Sequence, residues 1–262
     1  MRETDVIKKN LERLQAVSVY LDAVKASQLL EAELSLKGAT PKSACDFFIK
    51  AFSKSPLCAE FLHISANVFK KVPPPRARLG QCKVACTKNP LLLRSVKELC
   101  SFCDAAHITD APDFRTCCDL VAGGSADFCI LPLASSREGY YTTFTKLLKT
   151  YDLRIVRSVT VSKNDSDEEL NVALISKELS ISSESQYISF SFPDSEKPML
   201  SKLICAMDSE GIVPVSISSA PLEYNSEKFE HIVTAALCGF CPFAFIAFLE
   251  AAVPGHTVLG VY

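Results

Sequence analysis

Tryptophan is absent from the 262 residues, methionine occurs three times and glycine nine times. No G-x-G-x-x-G or G-x-x-x-x-G-K-[ST] run occurs, which excludes the common phosphate-cradling loops of dinucleotide and nucleotide sites. No other cofactor motif is present, and no cofactor is expected. An excess of one charge sign is also missing: 28 Lys+Arg face 30 Asp+Glu, for a formal net charge of −2. Affinity for nucleic acid rests on neutralised phosphates, so this balance excludes a dedicated nucleic-acid binder. Glycine is too scarce for a collagen-like or other fibrous chain. The first residues, MRETDVIKKNLERLQ, lack the apolar core of a signal peptide. The expectation is therefore a cytoplasmic protein with free thiols.

What is present describes a globular chain. Hydrophobic residues make up 48% and charged residues 22%. Cysteine is plentiful, at 12 residues, and several (Cys117, Cys118, Cys129, Cys205) lie in apolar runs where they serve as small hydrophobes. One stretch, Ile232 to Leu249, carries no charge over eighteen residues, the length of a membrane span. It contains the Gly239 to Pro242 break, has Glu230 and Glu250 at its flanks, and has no basic cluster beside it. It reads as a buried strand, a turn and a helix, and no membrane contact is expected.

The chain divides into three parts. Residues 1–71 read as helices, with Ile7, Leu11, Leu14, Val17, Leu21 and Val24 on one face. The segment KKVPPPRAR (residues 70–78) breaks any helix and reads as a stiff, solvated connector. Residues 79–180 alternate strand and helix. CKVAC is a buried strand, Asn89-Pro90 opens a helix running to about Cys103, and Asp113 caps a second helix stopped by Gly123-Gly124. DFCILPL is a strand, YYTTFTKLLKTY a helix, LRIVRSVTV a strand, NDSDEE a polar turn and LNVALIS a strand. Residues 185–262 give the order β-α-β-β-α-β, the split ferredoxin-like unit. The expected fold is thus α/β and α+β: an N-terminal helical segment, a single α/β lobe, and a C-terminal ferredoxin-like βαββαβ domain.

Residues 83–262 resemble prephenate dehydratase, an enzyme of phenylalanine biosynthesis, including its C-terminal regulatory ACT domain. The resemblance rests on Phe114, on Val121-Ala122-Gly123-Gly124-Ser125-Ala126-Asp127-Phe128-Cys129-Ile130-Leu131-Pro132-Leu133, and on Ser136 and Gly139. These follow the family's "F…AV..G.AD.G.LPIENS..G" pattern. Leu200-Ser201-Lys202-Leu203 with Gly211-Ile212, Ser218-Ser219-Ala220-Pro221, and Leu259-Gly260-Val261-Tyr262 are similar to the family's later motifs. The departures fall on the chemistry. Where the family has "TRF", this chain has Leu170, Asn171 and Val172, and no arginine occurs after Arg157. Prephenate carries two carboxylates, and arginine is the usual fork for holding them. In the "PIENS" loop the acid is replaced by Ala134 and the amide by Ser135, leaving only Ser136 as a catalytic remnant. LRIVRSVTV is followed so closely by LNVALIS that the family's second lobe has no room. Some family members carry an N-terminal helical chorismate mutase, and residues 1–71 lie where a remnant of it would.

The resemblance and its gaps imply a catalytically degenerate, prephenate dehydratase-like protein. It would sense or regulate aromatic amino-acid biosynthesis through phenylalanine or a related small molecule. The alternatives are an active chorismate mutase or prephenate dehydratase, and a ligand-free interaction module. Ser135, Ser136 and Arg137 follow a buried strand where an α/β sheet commonly binds ligands; the serines equally suit a helix cap at Tyr140. In the ACT-like region the resemblance places a ligand near Met199, Leu200, Ser218 and Ser219, at the interface of a homodimer. The pairs Cys100/Cys103 and Cys238/Cys241 are too far apart for the usual zinc spacing of about 15–20 residues, so no metal is expected. The first pair reads as core-facing helix. His63, His107, His231 and His256 are dispersed, with His107 and His256 read as strand-end residues.

Overall fold

The computed structural model describes residues 79–162, 168–181, 185–193, 199–221 and 229–262. The expected helices of residues 1–71, the connector, most of the NDSDEE turn and Lys197-Pro198 lie outside these residues. Ten strands and five helices are described. In chain order they are β1 (Leu79–Thr87), α1 (Pro90–Leu99), β2 (Cys103–Ala111), α2 (Phe114–Ala122), β3 (Phe128–Ser135), β4 (Gly139–Tyr140) and α3 (Thr142–Thr150). There follow β5 (Arg154–Ser162), β6 (Glu169–Ser176), β7 (Tyr187–Pro193), α4 (Met199–Ser209), β8 (Val213–Pro221), β9 (Phe229–Ala236), α5 (Pro242–Ala252) and β10 (Thr257–Val261). The fold class is mixed α/β, as the sequence pattern predicts.

The chain forms two compact units. One gathers, among the described residues, 79–162, 168–181, 185–191, 215–221, 229–235 and 257–262, and so holds nearly all of the sheet. Its strand order is β2-β1-β3-β6-β5-β10-β7-β9-β8, with β4 paired to β3 off this path. β1 is parallel to β2 and β3, while β6 is antiparallel to β3 and β5. The last four strands, β10-β7-β9-β8, come in the order 4-1-3-2 of a βαββαβ unit, the ferredoxin-like pattern.

Two hydrophobic layers flank the first half of this sheet. Val84, Cys86, Phe128, Ile130, Val172 and Leu174 face Leu92, Val96 and Leu99 of α1. Their chain neighbours Ala85, Cys129, Leu131, Ala173 and Ile175 face Cys117, Cys118 and Val121 of α2 and Leu148 of α3. β3 is covered on both sides, which explains its unbroken apolar run. The caps are local. Asn89 Oδ1 accepts from Leu91 N at 2.9 Å ahead of Pro90, and Asp113 Oδ1 accepts from Thr116 N at 2.7 Å.

The two halves of the sheet meet at one close contact. β10 runs parallel to β5 through the pair Gly260–Ile155. Both strands change register beside this point, β5 between Ile155 and Arg157, β10 between Val258 and Gly260. A Cβ on Gly260 would lie 2.4 Å from both the Cβ and the carbonyl oxygen of Ile155, so only glycine permits this approach.

The other unit contains, among its described residues, α4 with the start of β8, and α5 with its flanks. The charge-free run resolves as expected into β9, a turn in which Cys238 and Gly239 have φ of 50° and 88°, and α5 opened by Pro242. In α5, Phe245 and Phe248 are fully buried and lie 6.0 Å apart. Among the described residues no helix is long and apolar enough to cross a membrane.

Two sequence expectations are corrected here. The first helix ends at Leu99, and Cys103–Ala111 is a strand, β2, paired with β1, that the pattern did not reveal. β2 is the outermost strand on its side and mostly exposed, so it needs no apolar alternation. His107 therefore sits mid-strand on an exposed edge. The helix expected from Tyr140 begins at Thr142, because Gly139–Tyr140 pairs back on β3 as β4.

Candidate functional site

The turn between β3 and β4 brings together three of the expected residues. β3 ends at Ser135, which is buried, while Ser136 and Arg137 are exposed. Ser135 Oγ accepts from Glu138 N at 2.9 Å, closing the turn. Ser136 Oγ accepts from Glu169 N at 2.9 Å, and Ser136 N donates to Glu169 O at 2.9 Å. The serines thus shape the turn and dock it to the start of β6. They do not cap α3, whose N-cap position, Tyr141, makes no side-chain bond. Each hydroxyl keeps its own proton to donate. Ser136 with Arg137 can meet a carboxylate.

The register of β3 against β6 sets the other half of the site. Ala134 lies opposite Asn171, Ser135 opposite Leu170 and Pro132 opposite Val172. The positions that resemble the family's two substrate motifs are therefore neighbours across one strand pair. Among them only Asn171 and the serines are polar, and none is a cation. The nearby arginines of β5 are engaged elsewhere. Arg154 Nη2 donates to Asp152 Oδ1 at 2.6 Å. Arg157 Nη1 donates to Ser101 Oγ at 2.8 Å, with its guanidinium 4.9 Å from the centre of the Phe102 ring. Among the described residues no ion pair engages Arg137.

The ACT-like candidates fall in different units. Met199 and Leu200 open α4 in one unit, and Ser218 and Ser219 lie on β8 in the other. Ser219 Oγ is 2.9 Å from His231 Nδ1 on β9, a Ser–His contact the sequence did not suggest. Ser218 Oγ is buried without a partner. β8 is the outermost strand on its side, and Val213, Val215 and Ile217, at alternate positions, are exposed.

The thiols of Cys82, Cys86, Cys100, Cys117, Cys118 and Cys129 are buried packing groups, whereas Cys205, expected to pack in its apolar run, is exposed. Cys100 closes α1 and Cys103 opens β2, so this pair flanks a turn rather than lying within a helix. Burial first, then the neighbouring Cys82, pushes the Cys100 thiol up to about 12. Burial first, then Cys86 and Cys118, does the same to Cys117. At neutral pH both are protonated and poor nucleophiles. Among the described residues no group of three or more His, Cys, Asp or Glu side chains is arranged to hold a metal ion. His256 Nδ1 donates to Val253 O at 2.8 Å, and its Nε2 lies 3.4 Å from Glu250 Oε1, a local lock at the end of α5.

With this geometry in view, the solved structures can be compared. A prephenate dehydratase from Streptococcus mutans matches with a TM-score of 0.55 at 20% identity, over 69% of this chain and 97% of that one. The prephenate dehydratase of Arthrobacter aurescens, solved in complex with L-Phe, matches with a TM-score of 0.52 at 12% identity, over 69% and 89%. This chain has a prephenate dehydratase-like fold. GqqA, described as a novel type of quorum quenching acylase, matches as well, with a TM-score of 0.57 at 16% identity over 69% and 94%. No protein-family model and no curated protein sequence matches this chain. At these identities the likeness concerns the fold alone.

Proposed function

We propose that this protein is a non-catalytic relative in fold of prephenate dehydratase, and that it senses an aromatic amino acid or a related pathway intermediate. Residues 79–180 form its α/β lobe and residues 185–262 its ACT-like regulatory domain in this reading. The observation that carries it is the strand pair Ala134–Asn171 and Ser135–Leu170, which places apolar or neutral groups where the resemblance calls for an acid and an arginine. Losing one charge-stabilising donor typically costs about 10²–10³ in rate, and several are missing together. Ser136 and Arg137 retain enough to hold one carboxylate. A second ligand contact is proposed at Met199, Leu200, Ser218 and Ser219. The open edge of β8, with its exposed Val213, Val215 and Ile217, supports pairing of two copies through the ACT-like domain.

A thermal-shift titration with phenylalanine, tyrosine, tryptophan, chorismate, prephenate and phenylpyruvate tests the reading, using a dye because the chain has no tryptophan. One aromatic ligand at 100 times its dissociation constant adds about 2.7 kcal/mol of stability, a clear shift. Turnover of prephenate or chorismate in the ordinary enzyme range of about 1–10³ s⁻¹ refutes it.

A second reading, acyl transfer, rests on the Ser219–His231 contact and on the fold shared with the acylase. With the imidazole in its Nε2–H form, the serine hydroxyl donates to Nδ1, the arrangement in which a base activates a nucleophile. Hydrolysis of a p-nitrophenyl ester that disappears in both Ser219→Ala and His231→Ala supports this reading. Equal rates in the variants and the parent eliminate it.

A further inference from the structure

The sequence Cys238-Gly239-Phe240-Cys241-Pro242 lies where the chain passes from β9 into α5. A C-x-x-C pair between a strand and the first turn of a helix is the placement that thiol–disulfide exchange uses. Local bonds fix that placement here. Phe240 N donates to Leu237 O at 2.8 Å, so the chain reverses over Cys238 and Gly239, whose φ of 50° and 88° are both left-handed. Cys241 is the N-cap of α5, with Pro242 opening the helix, and Phe245 N donates to Cys241 O at 3.2 Å. The rings of Phe240, just before the N-cap, and Phe245, in the first turn, stand edge to face 6.4 Å apart, a hydrophobic staple. Phe245 is fully buried, so the staple anchors the second cysteine to the core.

The two thiols have different surroundings. Cys238 is exposed and open to attack by or on a small molecule, whereas Cys241 is partly buried behind it. Burial pushes the Cys241 thiol up, and the N–H groups of Ala244 and Phe243 in the first turn of α5 pull it back. A helix N-terminus favours the thiolate, which is the form that attacks a disulfide. A disulfide needs Cα atoms about 4.4–6.8 Å apart, and the reversal at Cys238-Gly239 turns the chain back on itself within this pair. An added Cβ on Gly239 would meet nothing within 4 Å, so the turn has room to close. Cys205 supplies the contrast: it is also exposed, and α4 carries no second cysteine.

We propose that Cys238 and Cys241 form a thiol–disulfide exchange site that takes a low-molecular-weight disulfide. The Cys238 thiolate attacks one sulfur of that disulfide. A bond forms between them, the small disulfide's S–S bond breaks, and its other half leaves as a thiolate that takes up a proton. The Cys241 thiolate then attacks Cys238 Sγ, closing the Cys238–Cys241 disulfide and expelling the second half as a thiol. The small disulfide is reduced to two thiols, the protein dithiol is oxidised by the same electron pair, and the two cysteine protons pass to the released thiols. This inference stands whether or not the Ser136–Arg137 turn binds a ligand.

Oxidised glutathione added to the native full chain, with acid quenching at successive times and peptide mass mapping, tests it. Cleavage after Lys228 releases residues 229–262, a peptide that holds Cys238 and Cys241 and no other cysteine. The expected course is a transient glutathione adduct on that peptide, replaced by a form lacking both the adduct and two hydrogens, while the adduct on Cys205 persists. Cys241→Ser, which keeps a good N-cap residue, should stop at a lasting adduct on Cys238. Cys238→Ser should leave Cys241 unmodified over the same times. A Cys238 adduct in the parent that lasts as long as the one on Cys205 overturns the proposal. So does a Cys238 left unmodified, or an internal disulfide that forms only after denaturant is added.

Discussion

Replacing Gly260 by alanine is the sharpest test of how the two halves of the sheet are joined. The added methyl would lie 2.4 Å from Ile155 Cβ and Ile155 O, and 2.8 Å from Ile155 Cα. Real Cβ contacts essentially never fall below 3.0 Å. Two of these atoms are backbone, so no side-chain rotation can clear the clash. The strands must separate, and they are already irregular at this point on both sides. Overpacking a core costs about 1–3 kcal/mol, and a clash with backbone belongs at the upper end. For a chain of this size each kcal/mol lowers the melting midpoint by roughly 2–4 °C, so Gly260→Ala should melt about 6–12 °C lower. Gly80→Ala is the control: its added methyl meets nothing nearer than Asp104 Oδ2 at 4.0 Å, and the midpoint should hardly move. Both variants melting together with the parent would refute the close approach of β10 to β5.

Other outcomes follow from single residues. Leu92→Ala empties a fully buried position between α1 and the sheet and should cost about 2–5 kcal/mol in denaturant unfolding. Ser136→Ala removes the bond to Glu169 N at an exposed turn; it should cost about 0.5 kcal/mol and abolish the thermal shift of any ligand held there. The Asp113 carboxyl is held below its usual value by the N–H and hydroxyl of Thr116. A lowered folded pKa stabilises above the unfolded value and is lost as pH falls through the folded one, so Asp113→Asn should flatten the acid limb of the stability profile. Iodoacetamide at pH 8 should label the exposed Cys205 and Cys238 in the native protein while Cys100 and Cys117, raised to about 12, stay unlabelled until unfolding. Peptide mapping that finds Cys100 labelled as fast as Cys205 contradicts that packing.

What the sequence determined by itself is what short-range physics controls. The caps at Asn89 and Asp113, the stop at Gly123-Gly124 and the strand-turn-helix reading of residues 232–249 each depend on neighbours within a turn or two. The doubly covered strand β3 announced itself because both its faces needed apolar side chains. The tertiary structure decided the rest. β2 is an exposed edge whose polar residues carry no periodic signal, so only its hydrogen bonds to β1 define it. The serines of the turn look like caps locally, yet their partners are Glu138 and, across a strand pair, Glu169. Arg157 is the last arginine in the chain, and the fold turns it onto Ser101 and Phe102, 56 residues from the former by sequence, instead of toward the turn. The contact of Gly260 with Ile155 and the hydrogen-bonded row of Thr234, Ser189 and Tyr262 involve residues that are strangers along the chain. Their meeting depends on strand order and register, which arise from the packing of whole layers and leave no mark in any local window.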